Sequence, residues 1–451
     1  MERIHLMCGR KGARPTLVVA MERRRPCLRS HCARLASMAP IVWIALGGLA
    51  SQLFAHEPRG MTELVQGNNR FGFDLYGKLR GQPGNLFFSP YSISAAMAMT
   101  YGGARGETES QIAKVMHFGQ DQARLHAAFA ALQADLKTEG SKADYQLSIA
   151  NRLWGQAGFP FLESYVKLTE RDYGAALKTM DFREAAEASR KAINLWIEEQ
   201  TRRKIKDLLP PGSVDARTRL VLTDAIYFLG NWASQFQKEA TRDAPFFLAD
   251  GSETKVPMMQ QKGYFRFAAA DGLQLLEMPY RGGRLAMVVL LPRERGLSRF
   301  LGQDATKMGL SPSARSEQSL SADKLAGWLG HLQSRQVIVF LPRFKLTSEV
   351  TLNHTLESLG MTLPFSVHAD FSGMDGRRDL YLSAAFHKAF VDVNESGTEA
   401  AAATGMVMRA LAARPGPPPI VFRADHPFLF LIRDNQTGSI LFLGRMADPR
   451  P

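Results

Sequence analysis

Residues 387–404 read HKAFVDVNESGTEAAAAT, and the run of small side chains after Gly397 sets the reading of the whole chain. As extended backbone, successive side chains would point to opposite faces. Thr398, Ala400, Ala402 and Thr404 then share one face, and Glu399, Ala401 and Ala403 the other. The first face is small and uncharged, so it could enter a close-packed interior. The charge at Glu399 would point away from it. Gly397 supplies backbone freedom where such a strand would hinge. By composition alone, AAAAT serves equally as a helix start or a flexible linker, so the surroundings must decide. Residues 397–419 run on through Ala, Thr and Met to Pro-Gly-Pro-Pro-Pro. A structureless segment of that length is uncommon in a compact domain unless it is functional.

The 451 residues are 45% hydrophobic and 22% charged, the balance of an ordinary globular protein. No linker, composition shift or internal repeat divides the chain, so residues 56–451 are expected to form one domain. The net charge of +13 raises the question of a nucleic-acid partner. Residues 1–55 hold nine basic and two acidic residues, a net of +7, which leaves +6 and no continuous basic run in the remainder. The cluster Arg202-Arg203-Lys204 with Lys206, at helical spacing beside Glu198 and Glu199, reads as a solvated helix face. Neither a nucleic-acid partner nor a polyanion activator is expected. Cys8, Cys27 and Cys32 all fall in the N-terminal stretch, leaving no disulfide framework, Cys-based metal site or thiol nucleophile in the body.

That N-terminal stretch reads as a targeting segment. The arginine-rich RRRPCLRSHCAR at 23–34 precedes the apolar PIVWIALGGLASQLFA at 40–55, a run too short to span a membrane comfortably. Cleavage after Ala55 is expected, with Met21 as the true start; a retained anchor is the alternative. The mature protein is expected to be secreted or periplasmic, monomeric and without a membrane partner.

Along the body, 63–80 reads as an amphipathic helix and 92–101 (SISAAMAMTY) as a helix packed inside a core. Helical periodicity covers 122–137 and 183–209, the second stopped by Pro210-Pro211-Gly212. Residues 220–229, 285–292 and 336–342 read as buried strands. The tail, IVFRADHPFLFLIRD then SILFLGRM, reads as two strands joined by a turn at 435–438. Residues 302–318, polar and Ser-rich, read as a surface insertion. Helices dominate the first half and strands the second, so the fold class is α+β.

No nucleophile elbow, HExxH pair, phosphate loop or dinucleotide fingerprint is present. Ser321-Ala-Asp-Lys324 fits S-x-x-K but has no partner motifs, and Ser321 reads as a helix N-cap. His126, His354 and His387 lack ligand spacing. No active site, metal or cofactor is expected.

Five segments carry a resemblance: NLFFSPYSI at 85–93, LVLTDAIYFLGNW at 220–232, LPRF at 341–344, HKAFVDVNESGTEAAAAT at 387–404 and HPFLF at 426–430. In this order and approximate spacing the chain resembles the serpin family from about residue 60 to its end. The resemblance implies three β-sheets, eight or nine helices and an exposed reactive loop, here about 395–420, with its hinge at Glu395 and Gly397–Thr404. It implies a serine protease inhibitor acting as a suicide substrate: the loop is cleaved, enters the main sheet and drags the acylated protease with it. The alternatives are a non-inhibitory carrier of the same fold and a secreted hydrolase using a serine such as Ser321.

Family spacing puts the cleaved bond fourteen residues after Gly397, between Leu411 and Ala412. Leucine there suits a chymotrypsin- or elastase-like pocket. Cleavage at the nearby Arg409 or Arg414 would instead suit a trypsin-like enzyme. The resemblance also maps a polar cluster beneath the opening sheet to Ser89, Ser92, Asp224 and His387, and a tryptophan at the top of that sheet to Trp232. The family's usual residue at 224 is Asn. A buried carboxylate must be paired or protonated, and His387 is a candidate partner, which would make sheet opening pH-sensitive.

Overall fold

A computed structural model describes residues 59–140, 145–175, 177–293, 320–398 and 418–450. The targeting segment, the 302–318 insertion, hinge residues Glu399 to Thr404, and Arg409, Leu411, Ala412 and Arg414 lie outside the described residues.

The N-terminal third is helical because its apolar residues recur at helical spacing. α1 (Arg59–Leu79) buries Leu64, Phe71, Leu75 and Leu79. β1 (Leu86–Phe88) leads into α2 (Pro90–Gly103), which is buried along its whole length. Alanine, serine and glycine let α2 be enclosed on all sides. Ser89 caps it by accepting from the Ser92 N–H, and Pro90 fits the first turn, where no N–H is needed. α3 (Gly106–Met116), α4 (Gln122–Gly140) and α5 (Glu163–Tyr173) pack around it.

α6 (Phe182–Gln200) ends earlier than the periodicity over 183–209 predicts. Arg202, Arg203 and Asp207 take φ of 52°, 61° and 49°, so the chain turns back instead of continuing as helix. Ile205, Leu208 and Leu209 still bury against the core beside α6, which is why the apolar pattern outlasts the helix. Asn194 holds Leu209 by both its backbone N–H and its carbonyl, each at 2.9 Å. The basic cluster therefore sits on a tight turn rather than on a helix face.

Two hydrogen-bonded sheets follow. The first has six strands in the order β10 (Phe344–Thr351), β11 (Ala384–Asn394), β12 (Gly397–Thr398), β4 (Leu220–Asn231), β2 (Tyr145–Gln156), β3 (Lys178–Met180). The second has nine: β1, β15 (Ile440–Met446), β14 (Phe428–Asp434), β8 (Leu285–Pro292), β7 (Leu273–Pro279), β6 (Glu253–Ala270), β9 (Gln333–Pro342), β13 (Ile420–Arg423), with β5 (Arg242–Phe247) on β6. The 18-residue β6 pairs with β5 at its start and with β7 at its end. Through it, what would otherwise be two sheets run on as one network, so the three-sheet layout appears as two. The tail divides into three strands, not two: Ile420–Arg423 joins β9, and Asp425-His426-Pro427 breaks the chain before β14. α7 (Ala322–Gly330), α8 (Leu352–Ser358) and α9 (Ser372–Asp375) bring the α-helices among the described residues to nine. Ser321 caps α7 by accepting from the Lys324 N–H at 3.3 Å.

Both faces of the six-stranded sheet are covered. Along β4, Leu220, Leu222, Ile226 and Phe228 enter the main core, while Val221, Ala225 and Tyr227 pack under α6. The strand is therefore apolar on both faces. Asp224, an even-numbered position, is thereby aimed into the main core.

Candidate functional site

The site lies along the seam between β4 and β11. From Ala384 to Phe390 and from Val221 to Tyr227 the two strands pair directly and in parallel. Above that, β12 stands between them, antiparallel to both: Thr398 pairs with Val393 and Gly230, Gly397 with Asn394 and Asn231. The first two residues after Ser396 thus already occupy the place of an extra strand.

Gly397 is required there twice over. Its φ is 155°, and a Cβ would come within 2.1 Å of the Gly230 carbonyl oxygen and 2.7 Å of the Asn231 Cα. Thr398 is fully buried, on the inward side, and its hydroxyl is 2.7 Å from that of Tyr280. Tyr280 stacks on Trp232, with centroids 4.6 Å apart. The Trp232 indole N–H donates to the Asn394 carbonyl at 3.0 Å, and its backbone N–H to that of Ser396 at 3.0 Å. Glu395, 3% exposed, accepts from Arg343 and from the Thr241 hydroxyl. Burial raises its pKa, but these hydrogen bonds outweigh burial and hold it below the usual carboxylate value.

Lower in the seam, Asp224 and His387 are register partners and wholly buried. His387 Nε2 accepts the Ser89 backbone N–H at 3.1 Å, so the ring proton sits on Nδ1 and is donated to Asp224 Oδ2 at 2.9 Å. Asp224 Oδ1 accepts from the Ser92 hydroxyl at 2.5 Å. The Ser89 hydroxyl donates to the Leu441 carbonyl at 2.6 Å. Asn151 on β2 completes the cluster: its amide donates to the Ser92 carbonyl at 2.9 Å, and its oxygen lies 3.2 Å from the Ser92 hydroxyl.

Serine, histidine and aspartate together invite comparison with a hydrolase triad, but the geometry differs. In a triad Nε2 takes the serine hydroxyl proton. Here a backbone N–H occupies Nε2, both hydroxyls donate elsewhere, and all four residues are sealed from solvent. The cluster cross-links β4, β11, β2 and the start of α2. Chemically it is a set of buried hydrogen-bonded cross-links.

Residues 66–449 match the family model described as Serpin (serine protease inhibitor). The chain belongs to the serpin family. This serpin is 44% identical over 396 residues to human leukocyte elastase inhibitor, covering 86% of this chain and all of that protein. It is 39% identical over 408 residues to human Serpin B3, again over 86% of this chain and all of its relative. Among solved structures, uncleaved ovalbumin aligns with a TM-score of 0.73 at 31% identity, and maspin with 0.76 at 27%; each alignment covers 86% of this chain and all of the other.

The structure brings Ser89, Ser92, Asp224 and His387 into one cluster, and Trp232, Glu395, Gly397 and Thr398 into another. Sequence reading missed four contributors. Asn151 and Tyr280 lie in segments with no motif. Arg343 stood inside the quoted LPRF without a role, and Thr241 gave no signal at all. Each acts through a contact distant in sequence.

Proposed function

We propose that this serpin inhibits by trapping: a serine protease cleaves Leu411–Ala412, and the loop then enters the six-stranded sheet between β4 and β11 with the acylated protease attached. The observation that carries this reading is β12, two residues of extra strand wedged above a seam that is otherwise paired. Extending it would exchange the β4–β11 pairing for two new strand pairings, each added backbone hydrogen bond contributing about 1 kcal/mol. The cross-links at Asp224 and His387 would have to part as the strand passes, which makes them the gate to insertion. A leucine at the cleaved bond, together with relatives named as leukocyte elastase inhibitors, supports an elastase- or chymotrypsin-like target.

Incubation with elastase, chymotrypsin and trypsin followed by a denaturing gel tests the reading. Trapping gives a serpin–protease band that survives SDS. Cleavage without such a band would mean a non-inhibitory carrier of the same fold. The mass of the released C-terminal fragment distinguishes Leu411 from Arg409 and Arg414.

Export to the periplasm or medium, with residues 56–451 acting as a single monomeric domain, is part of the same proposal. It is supported by the arginine-rich segment and apolar run that precede His56. Recovered protein should begin at His56, whereas an uncut N-terminus in the membrane fraction would mean a retained anchor.

A further inference from the structure

Strand β2 pairs with β4 from Tyr145 to Gly155 but with β3 only from Trp154 to Gln156. The outer edge of its first part has no strand partner among the described residues. A cavity of about 670 Å³ opens around this edge, within the range of roughly 300–1,000 Å³ typical of small-molecule sites.

Its two sides differ in chemistry. On the core side of the sheet the walls are apolar: Ala95 and Met99 of α2, Leu136 of α4, Leu147 and Ile149 of β2. On the α6 side stand Arg152, Trp196 and Gln200. The Arg152 guanidinium lies 4.1 Å from the centre of the Trp196 ring and 5.4 Å from that of Trp154. Its Nε is buried without a hydrogen-bond partner, and burial lowers its pKa from the ordinary arginine value. The Tyr91 hydroxyl, on the same cavity, is likewise buried and unpartnered. Lys137 adds a second cation beside Gly174, and none of the described lining residues is acidic.

A half-buried cation with no acidic residue among the described lining residues, beside an apolar recess, is a receptor for one kind of molecule. We propose that this cavity binds an amphiphilic carboxylate, aliphatic or aromatic, its carboxylate on Arg152 and its apolar body passing the open edge of β2 to rest against Met99 and Ile149. Guanidinium and carboxylate match in charge and geometry, and enclosure strengthens the pairing. The competing account is that Arg152 merely stacks on Trp196 to pack α6 against the sheet. That account predicts no preference for an anion. The proposal stands independently of protease trapping.

Decanoate and decan-1-ol, each below its aggregation limit, are titrated into the full-length protein by calorimetry and by tryptophan fluorescence. Decanoate should bind at one saturable site, about tenfold or more tighter than decan-1-ol. Arg152→Gln should weaken decanoate by about tenfold while leaving decan-1-ol within about twofold. Ile149→Trp, which fills the recess at a partly buried position, should weaken both. Equal binding of acid and alcohol, an unchanged decanoate affinity in Arg152→Gln, or no saturable binding would each overturn the proposal. If Arg152→Gln does not fold, the ratio of acid to alcohol on the wild type decides.

Discussion

Replacing Asp224 by Asn and by Ala separates two ways in which the buried cross-links could hold the sheet closed. In Asp224→Asn the amide oxygen can still accept from His387 Nδ1. The new NH2 then donates to the Ser92 oxygen, whose hydrogen turns to Asn151 Oδ1, 3.2 Å away. Every buried polar atom keeps a partner. The loss is the difference between charge-assisted and neutral hydrogen bonds, about 1 kcal/mol, and it is offset by no longer burying a carboxylate. The net change should stay within about 1 kcal/mol. In Asp224→Ala, Ser92 can fall back on Asn151, but the His387 Nδ1–H is orphaned at about 1–3 kcal/mol. The void left by the carboxylate adds about 2 kcal/mol, for a total of about 3–5 kcal/mol.

An unfolding entropy of about 2 cal/mol/K per residue over about 390 residues makes each degree worth about 0.8 kcal/mol. Thermal midpoints at one fixed scan rate should therefore fall by about 4–6 °C for the Ala variant and by about 1 °C or less for the Asn variant. A fall in Asp224→Asn as large as in Asp224→Ala would refute the reasoning, because it would make the charge itself indispensable.

Three further outcomes are expected. Gly397→Ala places a methyl against the Gly230 carbonyl, a strain of about 1–3 kcal/mol that should expel β12; faster amide exchange at Thr398 and more cleaved serpin per trapped protease check it, and unchanged exchange contradicts it. Glu395 has a depressed carboxyl pKa, so its contribution is present above the unfolded value of about 4.3 and is lost as pH falls through the folded one. Trp232 emission should change in that acid window, and Glu395→Gln should remove that component. Burial pushes the His126 pKa down to about 4. Stability should then fall between about pH 6.5 and pH 4 by up to about 3 kcal/mol, a slope that His126→Asn should flatten in urea titrations.

Much of the fold was legible because it rests on local rules. The buried helix over 92–101 announced itself by small residues on every side, and β8 by an unbroken apolar run. The misreadings occurred where burial and local conformation part company. Residues 201–209 keep an apolar rhythm because they still face the core under α6, yet two left-handed arginines end the helix. In the tail, IVFR and PFLFLIRD read as one strand because both are apolar; their different partners, β9 and β8, separate them.

The sequence by itself supplied a hinge compatible with entry into a sheet: from Thr398 to Thr404 alternation leaves one face small and uncharged, a local property visible in the letters. It also supplied Ser89, Ser92, Asp224 and His387 as a set, through resemblance rather than physics. Only the tertiary structure decided that β12 already stands between β11 and β4, that Tyr280 receives Thr398, and that Asn151 backs up Ser92. Those facts depend on strand order and on contacts between residues far apart in the chain. A hydrogen bond between positions 280 and 398 exists only once the sheets have been laid against each other, and no spacing along the sequence encodes it.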